Sequence, residues 1–310
     1  MKALVERALA FHTLSISDLV ATFEDARPSA VARRREALAE LDRQSMTRGR
    51  IVGITGTPGS GKSTLIGRIG VELHQQHGLS VAVVAVDPSS LVSGGALLGD
   101  RVRVRFPVDR PELYFRSQAS ETELGGLGPD TFQVCRALHH VFDIVIVETV
   151  GIGQSEVDVR WLCDRMYLVL QPLGGDEVQM LKAGIMEVPD VIVVNKCDEE
   201  VAARRLVVSL GSSLPLSRPF GAGPPPVMLT SALSGVGIEA LCTDLVSQIK
   251  RGELVHKEAH FFSRWVKSEW GRIGLAVLDD ELGGAERFVA AAGGFDEAQG
   301  TFGAAVRRVL

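Results

Sequence analysis

The chain has 310 residues with 33 Lys and Arg against 38 Asp and Glu, a net charge of -5 and 45% hydrophobic residues. That balance argues against a broad electrostatic hold on nucleic acid or an anionic membrane, and no apolar run approaches the roughly 20 residues of a membrane span. The length suits one large α/β domain with appendages, burying roughly three quarters of its unfolded surface.

The opening Met1-Lys2-Ala3-Leu4-Val5-Glu6-Arg7 has an early acid and no small-residue cleavage pattern, so no secretion signal is expected. Residues 3–43 read as helices. Ser15-Ile16-Ser17-Asp18 resembles a capping box opening the second, and Pro28 starts the third near its first turn. Arg33-Arg34-Arg35 lies among Glu36 and Glu40, which predicts a solvated helix face, not a phosphate patch.

Strands are expected at 51–56, 81–86, 143–148, 166–170, 191–195 and 227–230. Continuous apolar runs separated by helical stretches predict a largely parallel sheet covered on both faces. Ligands of such sheets bind beyond the carboxyl ends of the strands. Before the last strand, Pro219 to Pro226 reads as a rigid surface connection. Residues 253–310 are helical with breaks at Gly271, Gly283-Gly284 and Gly293-Gly294, and Phe261, Phe262, Trp265 and Trp270 form an aromatic stripe suited to core or subunit packing. The expected division is a helical extension over 1–48, a nucleotide domain over 49–252 and a helical extension over 253–310. Cys135, Cys163, Cys197 and Cys242 contain no Cys-x-x-Cys pair, which predicts reduced thiols and a cytoplasmic setting.

The first strand runs straight into Gly56-Thr57-Pro58-Gly59-Ser60-Gly61-Lys62-Ser63, with helical periodicity from Thr64. This strand, loop and helix predict a phosphate cradle. The glycines let backbone N–H groups approach phosphate oxygens, and the helix N-terminus adds partial positive charge. Lys62 is placed to reach the β- and γ-phosphates and Ser63 to offer its hydroxyl to Mg²⁺.

Asn195-Lys196-Cys197-Asp198 follows the fifth run. A carboxylate at Asp198 can accept from guanine N1–H and the 2-amino group, which adenine does not present together. Asn195 would brace the loops, the Lys196 stem would lie along the base, and Ser231-Ala232-Leu233 would meet the base from the other side. Glu148-Thr149-Val150-Gly151 follows another strand, with Glu148 a candidate Mg²⁺ ligand and the Gly151 N–H a candidate for the terminal phosphate. Asp87 and Asp100 are further candidate oxygen ligands or water-orienting groups. Lys62, Asp100, Glu148 and Gly151 form the expected catalytic set, and Ser63, Asp87, Asp100 and Glu148 the expected metal set.

Four segments together resemble the MeaB/ArgK family of P-loop GTPases: Val86-Asp87-Pro88-Ser89-Ser90, Ser93 to Arg101, Glu148 to Glu156 and Asn195 to Asp198. The resemblance runs from about residue 50 to 250 and implies an α/β P-loop NTPase fold of the SIMIBI type with helical N- and C-terminal extensions. It also implies slow GTP hydrolysis with Mg²⁺, GDP as product, a homodimer through the C-terminal helices and a role as chaperone of an adenosylcobalamin-dependent acyl-CoA mutase. That role gates cofactor loading and removes damaged cofactor, with the cobalamin adenosyltransferase as a further candidate partner. A third switch maps onto Gly174 to Lys182, including Asp176, Glu177, Gln179 and Lys182. Two places depart from the family: Arg101-Val102-Arg103 replaces a Lys/Arg-Thr-Arg-Met run, and Gln171-Pro172-Leu173-Gly174-Gly175 stands where Pro-Gly-Ala-Gly is favoured. The competing readings are a GTP-dependent metallochaperone, for which only the histidine pairs 74/77, 139/140 and 256/260 are on offer, and a P-loop kinase, which the guanine motif disfavours.

Overall fold

A computed structural model describes residues 1–25, 27–45, 49–87, 104, 106–107, 109–119, 127, 129–149, 156–173, 188–217, 223–247 and 254–309. For residues 28, 87, 119, 129, 156, 157, 215–217, 254, 255 and 309 it describes the backbone alone. In chain order the elements begin with α1 (Lys2–Leu9), α2 (Thr13–Glu24), a 3₁₀ turn (Pro28–Ala30), α3 (Val31–Gln44), β1 (Arg50–Gly56), α4 (Lys62–His77), β2 (Val81–Asp87) and β3 (Leu113–Ala119). Next come α5 (Pro129–Val141), β4 (Ile144–Thr149), α6 (Glu156–Leu162), β5 (Arg165–Leu170), β6 (Val191–Val194), α7 (Glu200–Ser217), β7 (Val227–Leu229) and α8 (Ile238–Ser247). The chain finishes with α9 (Leu254–Ala276), a π turn (Val277–Glu281), α10 (Ala285–Ala292) and α11 (Phe295–Val309).

The chain divides into two units. The first, Gly49–Leu127 with Phe142–Lys250, holds a seven-stranded sheet in the order β3-β2-β4-β1-β5-β6-β7. Every neighbouring pair is parallel. Each strand expected from the sequence is present within a residue of its expected bounds, because uninterrupted Val/Ile runs are what a sheet buried on both faces requires. Alternation along β6 shows both faces at work. Val191 and Val193 pack with Leu65, Ile69 and Leu73 of α4 and Leu241 and Leu245 of α8. Ile192 and Val194 pack with Ala203, Leu206, Leu210 and Leu214 of α7. Each fully buried Leu or Ile contributes about 1.5–3 kcal/mol of transfer free energy. β3 was not anticipated: it begins Leu-Tyr-Phe and then turns polar, as suits an edge strand with one neighbour.

The second unit combines Met1–Arg48, Gly128–Val141 and Arg251–Leu310. It is helical, and three separate stretches of chain build it. The stripe on α9 is core in its first half only: Phe261 stacks on Phe132 of α5 at 4.7 Å between ring centres and Phe262 meets Phe288, Phe295 and Phe302, whereas Trp265 is half-buried and Trp270 is 37% exposed. Gly271 adopts φ 60°, ψ -148° inside α9, so the expected break there is a kink.

Two local expectations are corrected. The second helix opens earlier than the Ser15 motif indicates: His12 is the N-cap, its ring nitrogen accepting from the Ser15 N–H at 3.3 Å, and Ser15 is buried inside the helix. The arginine run is not a uniformly solvated face either. Arg34 is 2% exposed and donates to Asp296 at 3.1 Å, and Arg136, also buried, donates to the other Asp296 oxygen at 2.9 Å while pairing with Glu258 at 3.1 Å. Burial outweighs the neighbouring Arg136 charge and pushes the Glu258 carboxyl up from its ordinary value. One carboxylate thus serves two buried guanidinium groups. Asp296→Ala takes the paired carboxylate from buried Arg34 and leaves Arg136 with Glu258, with an expected loss of about 3–5 kcal/mol. Chemical denaturation of the variant should show a clearly lower midpoint, and an unshifted midpoint would assign the network no stabilising role.

Candidate functional site

The carboxyl ends of β1, β4, β5, β6 and β7 carry the expected chemistry. β1 lies between β4 and β5, and the glycine loop leaves it at Gly56. Gly56 has φ 146°, and a Cβ there would sit 2.0 Å from the Val169 carbonyl oxygen, so only glycine fits where β1 passes β5. The loop then folds over itself, with Ser60 donating from its hydroxyl to the Thr57 carbonyl at 2.8 Å. Pro58 and Gly59 form the exposed crest, and Thr57 and Ser60 are buried beneath. Gly61, left-handed at φ 84°, is the N-cap of α4, which starts at Lys62 with no side-chain cap on its first N–H groups. Those groups and the helix dipole are therefore available to an anion.

Lys62 is 5% exposed, and its ammonium donates to the carbonyls of Gly56 at 2.8 Å and Thr57 at 3.0 Å. The lysine thus spans the loop from beneath. Ser63 is buried and donates its hydroxyl to Glu148 Oε1 at 2.8 Å, with Glu148 2% exposed at the end of β4. A hydroxyl and a carboxylate facing one another are hard oxygen donors of the kind Mg²⁺ selects, so this pair fits that ion. Beside it Thr149 donates from its hydroxyl to Thr55 at 3.1 Å, fastening β4 to β1. Thr64, the next residue of α4, is exposed.

Asn195 is 1% exposed and binds two loops at once. Its amide donates to the Ser60 carbonyl at 2.8 Å, and its carbonyl accepts from the Ala232 N–H at 3.2 Å and the Thr230 hydroxyl at 3.3 Å. Phosphate loop, β6 end and β7 end are held by a single carboxamide. Lys196 has φ 60°, uncommon for a residue with a side chain. Its ammonium donates to the Gly59 carbonyl at 2.7 Å and to Gln171 Oε1 at 2.9 Å. The Cys197 N–H donates to the Thr230 carbonyl at 3.0 Å, and burial, with Asp198 adding to it, pushes the Cys197 thiol up, keeping it protonated. Asp198 is exposed, as is Leu233 at 81%, while Ser231 and Ala232 are buried.

The structure therefore brings together Gly56, Thr57, Pro58, Gly59, Ser60, Gly61, Lys62, Ser63, Thr64, Glu148, Asn195, Lys196, Asp198, Ser231, Ala232 and Leu233 around one end of the sheet. Asp87 ends β2, its side chain outside the described residues. Asp100, Gly151, Asp176, Glu177, Gln179 and Lys182 also lie outside them. Thr230 and Gln171 were not anticipated as partners of the Asn195 to Asp198 loop, although both directly follow apolar runs. Of the histidines considered for metal, His256 lies 2.9 Å from Glu286, and His260 meets the Phe261 ring edge-on. Among the described residues no group of three or more His, Cys, Asp or Glu side chains is arranged to hold a metal ion.

A parallel sheet with a glycine loop between its central strand and a helix, joined through an asparagine to an Asn-Lys-x-Asp loop, defines the class: a P-loop α/β nucleotide-binding protein. More particularly, residues 16–267 match the family model described as "Methylmalonyl Co-A mutase-associated GTPase MeaB", and the chain belongs to that family. It is 40% identical over 205 residues to the "Methylmalonic aciduria type A homolog, mitochondrial" of Caenorhabditis briggsae, covering 63% of this chain and 48% of that protein. It is 43% identical over 194 residues to a Pyrococcus abyssi protein named for GTPase activity, covering 62% and 60%. The chain thus spans about half to three fifths of the length of these relatives. Among solved structures, the "LAO/AO transport system kinase" superposes with a TM-score of 0.62 at 23% identity, covering 90% of this chain and 86% of that one. The "Hydrogenase Maturation Factor HypB" of Archaeoglobus fulgidus gives 0.51 at 21%, covering 73% and 100%. These two share the fold.

Proposed function

We propose that this chain binds and slowly hydrolyses GTP and uses the cycle as a chaperone of an adenosylcobalamin-dependent acyl-CoA mutase. The observation that carries the nucleotide reading is the Asn195 carboxamide, which sets the base loop against the phosphate loop at the spacing of its own hydrogen bonds.

In this reading the α4 N-terminus and the loop N–H groups seat the phosphates, and the Lys62 ammonium turns from the loop carbonyls to the β- and γ-oxygens. Ser63 and Glu148 would hold Mg²⁺, which when bound would withdraw charge from those oxygens. Asp198 accepts from guanine N1–H and the 2-amino group, and the Lys196 stem covers one face of the base. Water attacks the γ-phosphorus in line, breaking the bond to the β–γ bridging oxygen and leaving GDP and phosphate. Asp100, Asp87 and the Gly151 N–H are proposed to orient that water, the ion and the terminal phosphate. The family resemblance implies slow intrinsic turnover, with partner binding completing the site.

The mutase comes from the family description, with Asp176, Glu177, Gln179 and Lys182 proposed to face it; the adenosyltransferase is a second proposed partner. A homodimer through α9 to α11 and a cytoplasmic setting, in keeping with four free cysteines, complete the reading. The test is to titrate the purified chain with methylmalonyl-CoA mutase and sister isomerases while measuring phosphate release from GTP. Stimulation together with a complex on gel filtration is expected; if no mutase produces either, the chaperone role is wrong, and hydrolysis without a mutase would still uphold the GTPase.

A further inference from the structure

Gln171 opens the segment to Gly175 that stands where the family favours Pro-Gly-Ala-Gly, and the structure gives it a partner. It is the first residue beyond β5, and the Asn195 N–H donates to the Leu170 carbonyl at 2.9 Å, which brings the two strand ends side by side. In that register the Gln171 carboxamide oxygen accepts from the Lys196 ammonium at 2.9 Å. The same ammonium donates to Gly59 at 2.7 Å, and a Cβ on Gly59 would stand 3.7 Å from the Gln171 amide nitrogen. Three loops converge on one cation. Lys196 itself sits at φ 60°, a backbone conformation that few residues with a side chain adopt.

We propose that Gln171 is a positioning residue for purine binding: it fixes the Lys196 side chain as a preformed cover for one face of the base. A lysine has four rotatable side-chain bonds, and its freedom must be lost when a base slides beneath it. Two acceptors at 2.7 Å and 2.9 Å fix that conformation before the ligand arrives. The Gly59 carbonyl alone restrains the tip from the phosphate side. Gln171 supplies the second direction, from the end of the neighbouring strand, and so determines where the stem lies. Because the effect is on the cover and not on the edge of the base, it is indifferent to the 2-amino group that Asp198 reads.

This inference rests on the guanine-nucleotide reading, and the experiment separates the two. Affinities of the full chain for fluorescent GDP and for IDP, which lacks the 2-amino group, are measured by stopped flow for wild type, Gln171→Leu and Gln171→Glu. Single-turnover hydrolysis of prebound GTP is followed alongside. Gln171→Leu keeps the volume and removes the acceptor; it is expected to weaken GDP and IDP equally, by about five- to tenfold, the range of one net hydrogen bond. The loss should lie in faster dissociation, with the single-turnover rate within twofold of wild type. Gln171→Glu restores an acceptor and should return affinity to wild type or tighter. Equal affinities in wild type and Gln171→Leu overturn the positioning role while leaving the guanine site intact. A weakened Gln171→Leu that Gln171→Glu does not rescue also overturns it, since a general disturbance of the turn would then be the cause. A wild type that binds no GDP overturns the guanine reading itself.

Discussion

Replacing Lys62 by alanine is expected to reduce single-turnover GTP hydrolysis by about 10²–10³-fold, the scale for removing one preorganised donor from a developing charge. Two losses combine. The ammonium now spans the loop between the Gly56 and Thr57 carbonyls, so without it two oxygens in a buried setting lose a charged donor. In the proposed mechanism the transition state also loses the positive charge that follows the γ-phosphoryl group as it departs. The first loss weakens GDP and GTP alike, whereas the second falls on hydrolysis. Binding of fluorescent GDP and GTP, compared with phosphate release from saturated enzyme, separates them. Hydrolysis by Lys62→Ala within threefold of wild type would show that the loop does not contain the catalytic cation.

Asp198→Asn is the second large effect. Its carboxylate is proposed to accept two hydrogen bonds from guanine, and an amide in its place turns one acceptor into a donor facing a donor. Sites built on such pairing reject the mismatched ligand by roughly 10⁴-fold, so GTP affinity should fall by about that factor. Xanthosine triphosphate carries a carbonyl where guanine has its amino group, and the new amide can donate to it. A gain for xanthosine triphosphate alongside the loss for GTP is therefore the specific expectation, read by competition against fluorescent nucleotide. Unchanged GTP affinity would place base recognition elsewhere. Asp198 is exposed on a turn, so the substitution disturbs no buried packing, and either result reads on the base.

The parts legible in the sequence are those written locally. The glycine loop and Asn195 to Asp198 are short words whose residues act within a few positions of one another, and the central strands announce themselves as unbroken apolar runs. β3 was missed because an edge strand needs no continuous apolar run, and Arg116, Ser117 and Gln118 look like loop. Arg34 was misread for a related reason. Its near neighbours are acids on the same helix, but its partner Asp296 is 262 positions away. Gln171 and Lys196 meet only through the pairing of Leu170 with Val194, a register that no local pattern in either segment specifies.

The three-piece helical unit has a consequence for the order in which the protein can be made. Arg34 and Arg136 leave the ribosome 262 and 160 residues ahead of Asp296. By Ser247 every described strand of the sheet has been synthesised, so the nucleotide loops can assemble on the emerging chain as one folding unit. The helical unit cannot: until α11 emerges, its two arginines lack their shared carboxylate and Phe262 lacks Phe295 and Phe302. A nascent chain stalled before Phe295 would thus carry a finished sheet and an open, apolar helical half, the species on which chaperones and proteases act.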